Sequence, residues 1–139
     1  TDVTGAVTEL VTPVGNLTDS GTLDFTDVDL TDAHSVSAVT PSGGALGTLT
    51  ASVTTDTTGS SLGGVVTWSY SVAAADIEYL AAGQTKVETF TFDVLDGQGG
   101  SVSRTVTVTI TGTTDAPIVA ATDVTGAVTE LVTPSTCKA

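Results

Sequence analysis

Residues 86–113, KVETFTFDVLDGQGGSVSRTVTVTITGT, read as two strands and the turn that joins them. In the first half Phe90, Phe92 and Val94 alternate with Thr89, Thr91 and Asp93. In the second half Val102, Val106, Val108 and Ile110 share a face opposite Thr105, Thr107, Thr109 and Thr111. Successive side chains of a strand point to opposite faces, so a period of two marks a strand with one dry and one wet side. Between the halves, DGQGG (96–100) supplies the residues that a tight reversal needs.

The same alternation recurs upstream. In GVVTWSYSV (64–72), Val66, Trp68, Tyr70 and Val72 face away from Thr67, Ser69 and Ser71. Shorter candidates are VTGAVTELV (3–11), TLDFT (22–26), HSVSAVT (34–40) and LGTLTASVT (46–54). About seven strands with one wet face each describe an all-β, antiparallel two-sheet sandwich. Its core is expected around Trp68, Tyr70, Phe90 and Phe92. PSGG (41–44) and TTGSSLGG (57–64) read as connecting loops. Only AAADIEYLAAG (73–83) has helical spacing, through Ile77, Leu80 and Ala81, and it predicts one short helical crossover between the sheets.

A longer period overlies these strands. TDVTGAVTELVTP occupies residues 1–13 and returns unchanged at 122–134, a repeat of 122 − 1 = 121 residues. Pro117 cannot continue a central strand, so the module boundary is expected at DAP (115–117). Residues 1–116 then form one module. Residues 117–139 form a linker, the first strand of the next repeat and a tail, STCKA, that departs from the first copy. The sequence contains no Met, which places its native start outside this stretch.

Sixteen acidic residues against three basic ones give a net charge of −13. Nucleic acid and anionic membranes are poor partners for such a surface. No stretch approaches the roughly 20 apolar residues of a membrane span. Aromatic residues are 4% of the chain, yet mean hydropathy is positive and the strands are patterned, which argues for a folded core. One cysteine, Cys137, forms no internal disulfide.

The acids are unevenly placed. Asp24, Asp27, Asp29 and Asp32 fall within nine residues, and Asp27 and Asp29 project to the same side of an extended chain. Like charges held this way destabilise unless a cation or solvent screens them. A second group, Asp76 and Glu78, sits in the crossover, where Asp76 is equally well placed to cap a short helix. His34, the only histidine, reads as a surface or strand-edge residue beside an acidic loop. No nucleophile context, zinc spacing or phosphate-cradling loop is present, so no enzyme is expected. The Thr105–Thr111 row reads as the wet face of a strand rather than as an ice-binding array.

FTDVDLTDAHSVS (25–37) together with FTFDVLDGQGGSVSRTVTVTITGTTDAP (90–117) resembles the VCBS repeat of RTX-type surface adhesins, over nearly the whole 121-residue period (122 − 1). The pattern is more distantly similar to cadherin modules. The resemblance implies a cadherin-like or Ig-like Greek-key sandwich serving as an extracellular stalk module on a bacterial cell surface, stabilised by calcium. It also implies ligands: Asp27, Asp29 and Asp96 at one pole, Glu9, Asp76 and Glu78 at the other, and Asp115 in the linker. The linker departs from the family pattern at Thr114 and Gly112, which leaves an interdomain site short of ligands.

The leading expectation is therefore a structural tandem-repeat spacer in an adhesin or surface fibre, with adjacent copies of the module as its partners. The alternative is a filament subunit that polymerises head to tail by exchanging the duplicated strand, with Val124, Val128 and Leu131 as its anchors. A sugar-binding module has little to stand on, because Trp68 and Tyr70 fall on the inner face.

Overall fold

In the computed structural model, residues 1–114 and 126–128 are described. Eight strands form there: β1 (Thr4–Thr8), β2 (Asn16–Phe25), β3 (Ser35–Val36), β4 (Thr40–Pro41), β5 (Thr48–Thr55), β6 (Gly64–Ala73), β7 (Thr85–Leu95) and β8 (Ser101–Thr111). They make two sheets, one ordered β1-β8-β7-β3 with β4 also on β7, the other ordered β2-β6-β5. The all-β, two-sheet sandwich expected from the alternation is the fold, and it is consistent with an Ig-like arrangement.

The opening hairpin anchors the first sheet: β7 and β8 pair antiparallel from Thr85↔Thr111 to Leu95↔Ser101. The other edge of β7 is shared. β3 pairs with Val94 and Leu95, β4 with Phe90 and Thr91, so the single strand expected over 34–40 is in fact two short ones. Ser37 bridges the gap between them, donating its N–H to the Asp93 carbonyl at 2.9 Å and accepting the Asp93 N–H on its hydroxyl at 2.9 Å. Pro41, which has no N–H to donate, lies on this edge rather than in the sheet centre.

In the second sheet β6 is central, and its inward residues Val66, Trp68, Tyr70 and Val72 are all buried. Facing them are Phe90, Phe92, Val106, Val108 and Ile110. The four aromatic residues expected to build the core do so, and truncating one of the phenylalanines would cost about 3–5 kcal/mol. Trp68 also donates its indole N–H to the Asp2 carbonyl at 2.7 Å, tying the start of the chain to the core.

Three further expectations are corrected. β2 begins at Asn16, not at residue 22, and pairs with β6 from Asn16↔Ala73 onward. Asp19-Ser20-Gly21 has the composition of a turn, but Gly21 is in the strand because the Trp68 ring occupies the space of its side chain. A Cβ at Gly21 would stand 2.6 Å from that ring. β1 pairs with β8 in parallel, from Thr4↔Thr107 to Thr8↔Thr111, so the sandwich is not antiparallel throughout. Val102 does not join the inner face of Val106, Val108 and Ile110. It is 51% exposed, because β8 runs beyond the core at its start and β1 covers only Thr107–Thr111.

The crossover is a single 3-10 turn, Ala74–Ile77, which buries Ile77, with Leu80 buried just beyond it. Ala81, the third residue of the helical spacing, is exposed. Among the described residues no helix is long and apolar enough to cross a membrane. The linker from Asp115 and most of the second 13-mer, with Val124, Glu130 and Leu131, lie outside the described residues, as does Cys137. Val128 is described and is fully exposed, whereas its counterpart Val7 in β1 is 6% exposed against the core. The slot on β8 is therefore filled by the first copy.

Candidate metal centre

Three connections meet at one pole of the sandwich: residues 26–34 after β2, 56–63 between β5 and β6, and 96–100 between β7 and β8. Asp27, Asp32 and Asp96 each point one carboxylate oxygen to a common region, with all three oxygens within 4.8 Å of one another. Two oxygens about 2.4 Å from one calcium ion stand at most about 4.8 Å apart, so the spacing suits that ion.

Each carboxylate is held by its own loop. Asp96 Oδ1 accepts the N–H groups of Gln98 and Gly100, both at 2.8 Å, which closes the turn. Gly100 lets the Asp96 carboxylate lie close against the backbone, since a Cβ there would stand 2.3 Å from Asp96 Oδ2 and displace it. Asp27 Oδ1 accepts the Asp29 N–H at 2.9 Å. Asp32 is fixed through its backbone: its N–H donates to the Asp29 carbonyl at 3.2 Å, and its own carbonyl accepts the Thr58 hydroxyl at 2.7 Å. The Gly59 N–H reaches the Leu30 carbonyl at 2.8 Å and ties the second loop to the first.

The Asp32 side chain is the anomaly. The residue is 5% exposed, and its Oδ2 has no hydrogen-bond partner. Burial, then the charges of Asp27, Asp29 and Asp96, push its carboxyl above the ordinary 3.8. A buried polar atom without a partner is uncommon in a native fold.

His34 lies behind this group, not on the surface as its sequence context suggests. Its side chain is 5% exposed, with Nε2 at 2.8 Å from Asp27 Oδ2 and Nδ1 at 2.6 Å from Asp56 Oδ1. Its backbone N–H also donates to Asp56 Oδ2 at 2.9 Å, and the Phe25 ring lies 4.9 Å from the imidazole. A carboxylate on each ring nitrogen suits the doubly protonated imidazolium, which donates from both. Burial pulls the His34 pKa down, but the hydrogen bonds to Asp56 and Asp27 outweigh it and the net shift is upward. Asp27 moves the other way, lowered first by the Asp29 N–H and then by His34. Asp56 is lowered first by the His34 N–H.

The sequence-derived ligands divide accordingly. Asp27 and Asp96 converge. Asp29 is exposed and serves through its backbone, while Asp32 takes the third place. At the opposite pole Glu9 is 3% exposed, with Oε2 accepting the Thr113 N–H at 2.8 Å and Oε1 buried without a partner. Asp76 is exposed within the 3-10 turn and does not cap it, since the N-cap position is Ala73 and no side chain bonds there. Glu78 is half-buried just after the turn. Among the described residues, Glu9, Asp76 and Glu78 do not form a three-carboxylate group, and Asp115 lies outside them.

Sequence reading missed Asp56, which comes from a different loop with nothing in TTDTTGSS to mark it. It also passed over Glu88, although Glu88 sits on the same alternating face as Phe90 and Phe92 and is fully buried. Compared with known families and curated proteins, the chain matches no family model and no curated sequence.

Proposed function

We propose that the chain is a structural repeat module of an extracellular bacterial adhesin or surface fibre, a VCBS-type spacer whose Asp27–Asp32–Asp96 pole binds calcium. The observation that carries the calcium reading is that Asp32, one of three converging carboxylates, has a buried oxygen, Oδ2, without a hydrogen-bond partner. A hard divalent cation takes oxygen ligands, and three carboxylates supply half of the six it needs, with water or backbone carbonyls completing the shell. When bound, calcium neutralises the acids that otherwise repel. The chain's own part is to hold the three loops in register, through the Asp96 turn, the Asp32–Thr58 bond and the His34 clamp on Asp27 and Asp56. The duplicated 13-mer supports the repeat reading, because the sequence that opens the first module recurs after it.

Isothermal titration of calcium into the chelator-treated chain tests the site. Binding on the order of 10⁻⁴–10⁻³ M is expected, the range of extracellular modules, and Asp32→Asn should weaken it at least tenfold. A titration that leaves heat, thermal midpoint and scattering dimensions unchanged would sink the reading.

A second reading, polymerisation by exchange of the duplicated strand, draws support from β1. It is a five-residue edge strand whose Val7 is buried, while Val128 of the identical second copy is fully exposed. Removing residues 122–139 should then leave a folded monomer and abolish polymer. Polymer formed by the shortened chain ends that idea.

A further inference from the structure

An open strand edge is a template for pairing with another chain, and folded proteins guard it by shortness, charge, proline or a cover. Each sheet of the sandwich has two such edges, and those of β1, β2 and β3 with β4 are guarded. β1 is five residues long, and β3 and β4 are two each, with Pro41 on β4. β2 carries Asp19 and Asp24, and the Asp2 and Ala6 N–H groups reach its Thr22 carbonyl and its Asp19 carboxylate. β5 differs. It ends the second sheet, is eight residues long, and among the described residues no backbone hydrogen bond reaches its outer edge. Alternate N–H and carbonyl groups of Thr48–Val53 face outward there, because only the others pair with β6.

The sequence of this edge lacks every usual guard. Residues 35–55 contain no charged residue, and β5 contains no proline. The neighbouring β6, Gly64–Ala73, is uncharged as well. On a chain of net charge −13, two copies therefore meet here with the least repulsion. The central strand β6 separates β5 from β2, so the edge lies away from the start of the chain.

The strand is also complementary to itself. Leu49 is buried and Ala51 and Val53 are half-buried on its inner side, while Thr48, Thr50 and Ser52 are exposed on the outer. Antiparallel strands set residues of the same side opposite one another. A two-fold axis at Ala51 thus pairs Leu49 with Val53 inside and Thr50 with Ser52 outside, both favourable cross-strand combinations. Asp56 then falls opposite Leu46, whereas a parallel pairing in register would set it against a second Asp56. The bulge between Val53 and Thr55 ends the ladder.

We propose that the outer edge of β5 pairs antiparallel with the same edge of a second copy of this chain, about a two-fold axis at Ala51, joining their two β2-β6-β5 sheets into one. The contact is isologous, so it closes as a dimer. A single strand pair is a small interface, weak alone and strengthened where modules stand in tandem. In a fibre rooted at one end, the antiparallel arrangement joins fibres that run in opposite directions; that consequence rests on the repeat reading, and the pairing itself does not. It uses neither calcium nor the second 13-mer, which separates it from both readings above.

Sedimentation equilibrium of the full chain in chelator, at about 0.15 M salt and up to about 1 mM protein, tests it. The wild type is expected to show a monomer–dimer equilibrium, and amide exchange at alternate residues of Thr48–Val53 should slow as the concentration rises. Thr50→Lys with Ser52→Lys, and Thr50→Glu with Ser52→Glu, each set like charges opposite one another on the exposed side and should weaken association at least tenfold. Mixed in equal amounts, the two double variants should dimerise with each other. The exchange measurement decides the matter on the wild type alone, without any substitution. A wild type monomeric throughout, association that leaves the β5 amides unprotected, a double variant that dimerises like the wild type, or a mixture that stays monomeric would overturn the proposal. None of these outcomes touches the calcium titration.

Discussion

Glu88 and Asp32 are both carboxylates taken out of water, and they end in opposite states. Glu88 is fully buried and receives four donors: Lys86 Nζ at 2.7 Å, the Tyr70 hydroxyl at 2.7 Å, and the N–H groups of Leu46 at 2.5 Å and Gly47 at 3.0 Å. Burial alone would raise its pKa, but Lys86 and the other donors overcome it and hold the carboxyl below the ordinary 4.5. The Tyr70 hydroxyl is pushed upward in turn, by its own burial and by Glu88. Asp32 is nearly as buried, yet its neighbours are acids, and its carboxyl rises. Burial does not decide the fate of a charge here; the groups that face it do. One carboxylate ties the loop before β5 to β7, and the other leaves a local excess of negative charge at the opposite pole.

The largest effect should come from breaking the satisfied member. Glu88→Ala takes the acceptor from the Tyr70 hydroxyl and the Leu46 and Gly47 N–H groups and the counter-ion from the half-buried Lys86, and is expected to cost about 3–5 kcal/mol by urea unfolding. Glu88→Gln should cost less, because it keeps part of the hydrogen bonding. If Glu88→Ala is nearly neutral, the contrast with Asp32 fails. Next in size is calcium, which should supply Asp32 with the partner it lacks. At about 100 times the dissociation constant it adds roughly 2.7 kcal/mol, seen as a thermal midpoint raised by several degrees. Asp32→Asn and Asp96→Asn should abolish that gain, whereas Glu88→Gln should keep it.

Protonation sharpens the same contrast, with opposite signs. The Glu88 pKa is depressed on folding, so its contribution is present above 4.5 and is lost as pH falls through its lower folded value. The Asp32 pKa is raised, so its contribution is complete below 3.8 and is lost as pH rises through its higher folded value. In chelator, Asp32→Asn should therefore stabilise the chain at pH 7, with the gain vanishing on acidification below about pH 4. Unfolding curves for both chains across this range check it, and a gain that persists at low pH would contradict it. The smallest effect concerns His34: Asp56→Asn should lower its pKa, read from the imidazole proton shifts by NMR, with little change in the fold.

The alternation of Trp68, Tyr70, Phe90 and Phe92 made the sandwich readable, because period two is a local property that the sequence carries directly. Asp27 and Asp96 were readable as acids beside turns. Asp32 stood in the same acidic run, but nothing local says that Thr58 and Asp29 will draw its backbone inward and bury its carboxylate. The His34 clamp was hidden for a similar reason: its second acid, Asp56, lies 22 residues away on another loop. Glu88 is the instructive miss. Its position among Phe90 and Phe92 already announced an inward acid, and an inward acid demands donors. The start of β2 stayed hidden because Gly21 looks like a turn until the Trp68 ring explains why only glycine fits there.

The parallel pairing of β1 and β8 has a mechanical consequence. The chain enters through Thr1 beside Asp24, near the acidic pole, and leaves β8 at Thr111 at the far end of the sandwich. Tension applied through these two ends would draw β1 and β8 past each other along their length. The ladder from Thr4↔Thr107 to Thr8↔Thr111 would be loaded in shear, with its hydrogen bonds sharing the force instead of opening one by one. A hairpin pulled at its open end unzips, whereas this arrangement must slide as a unit before the core beneath it is exposed.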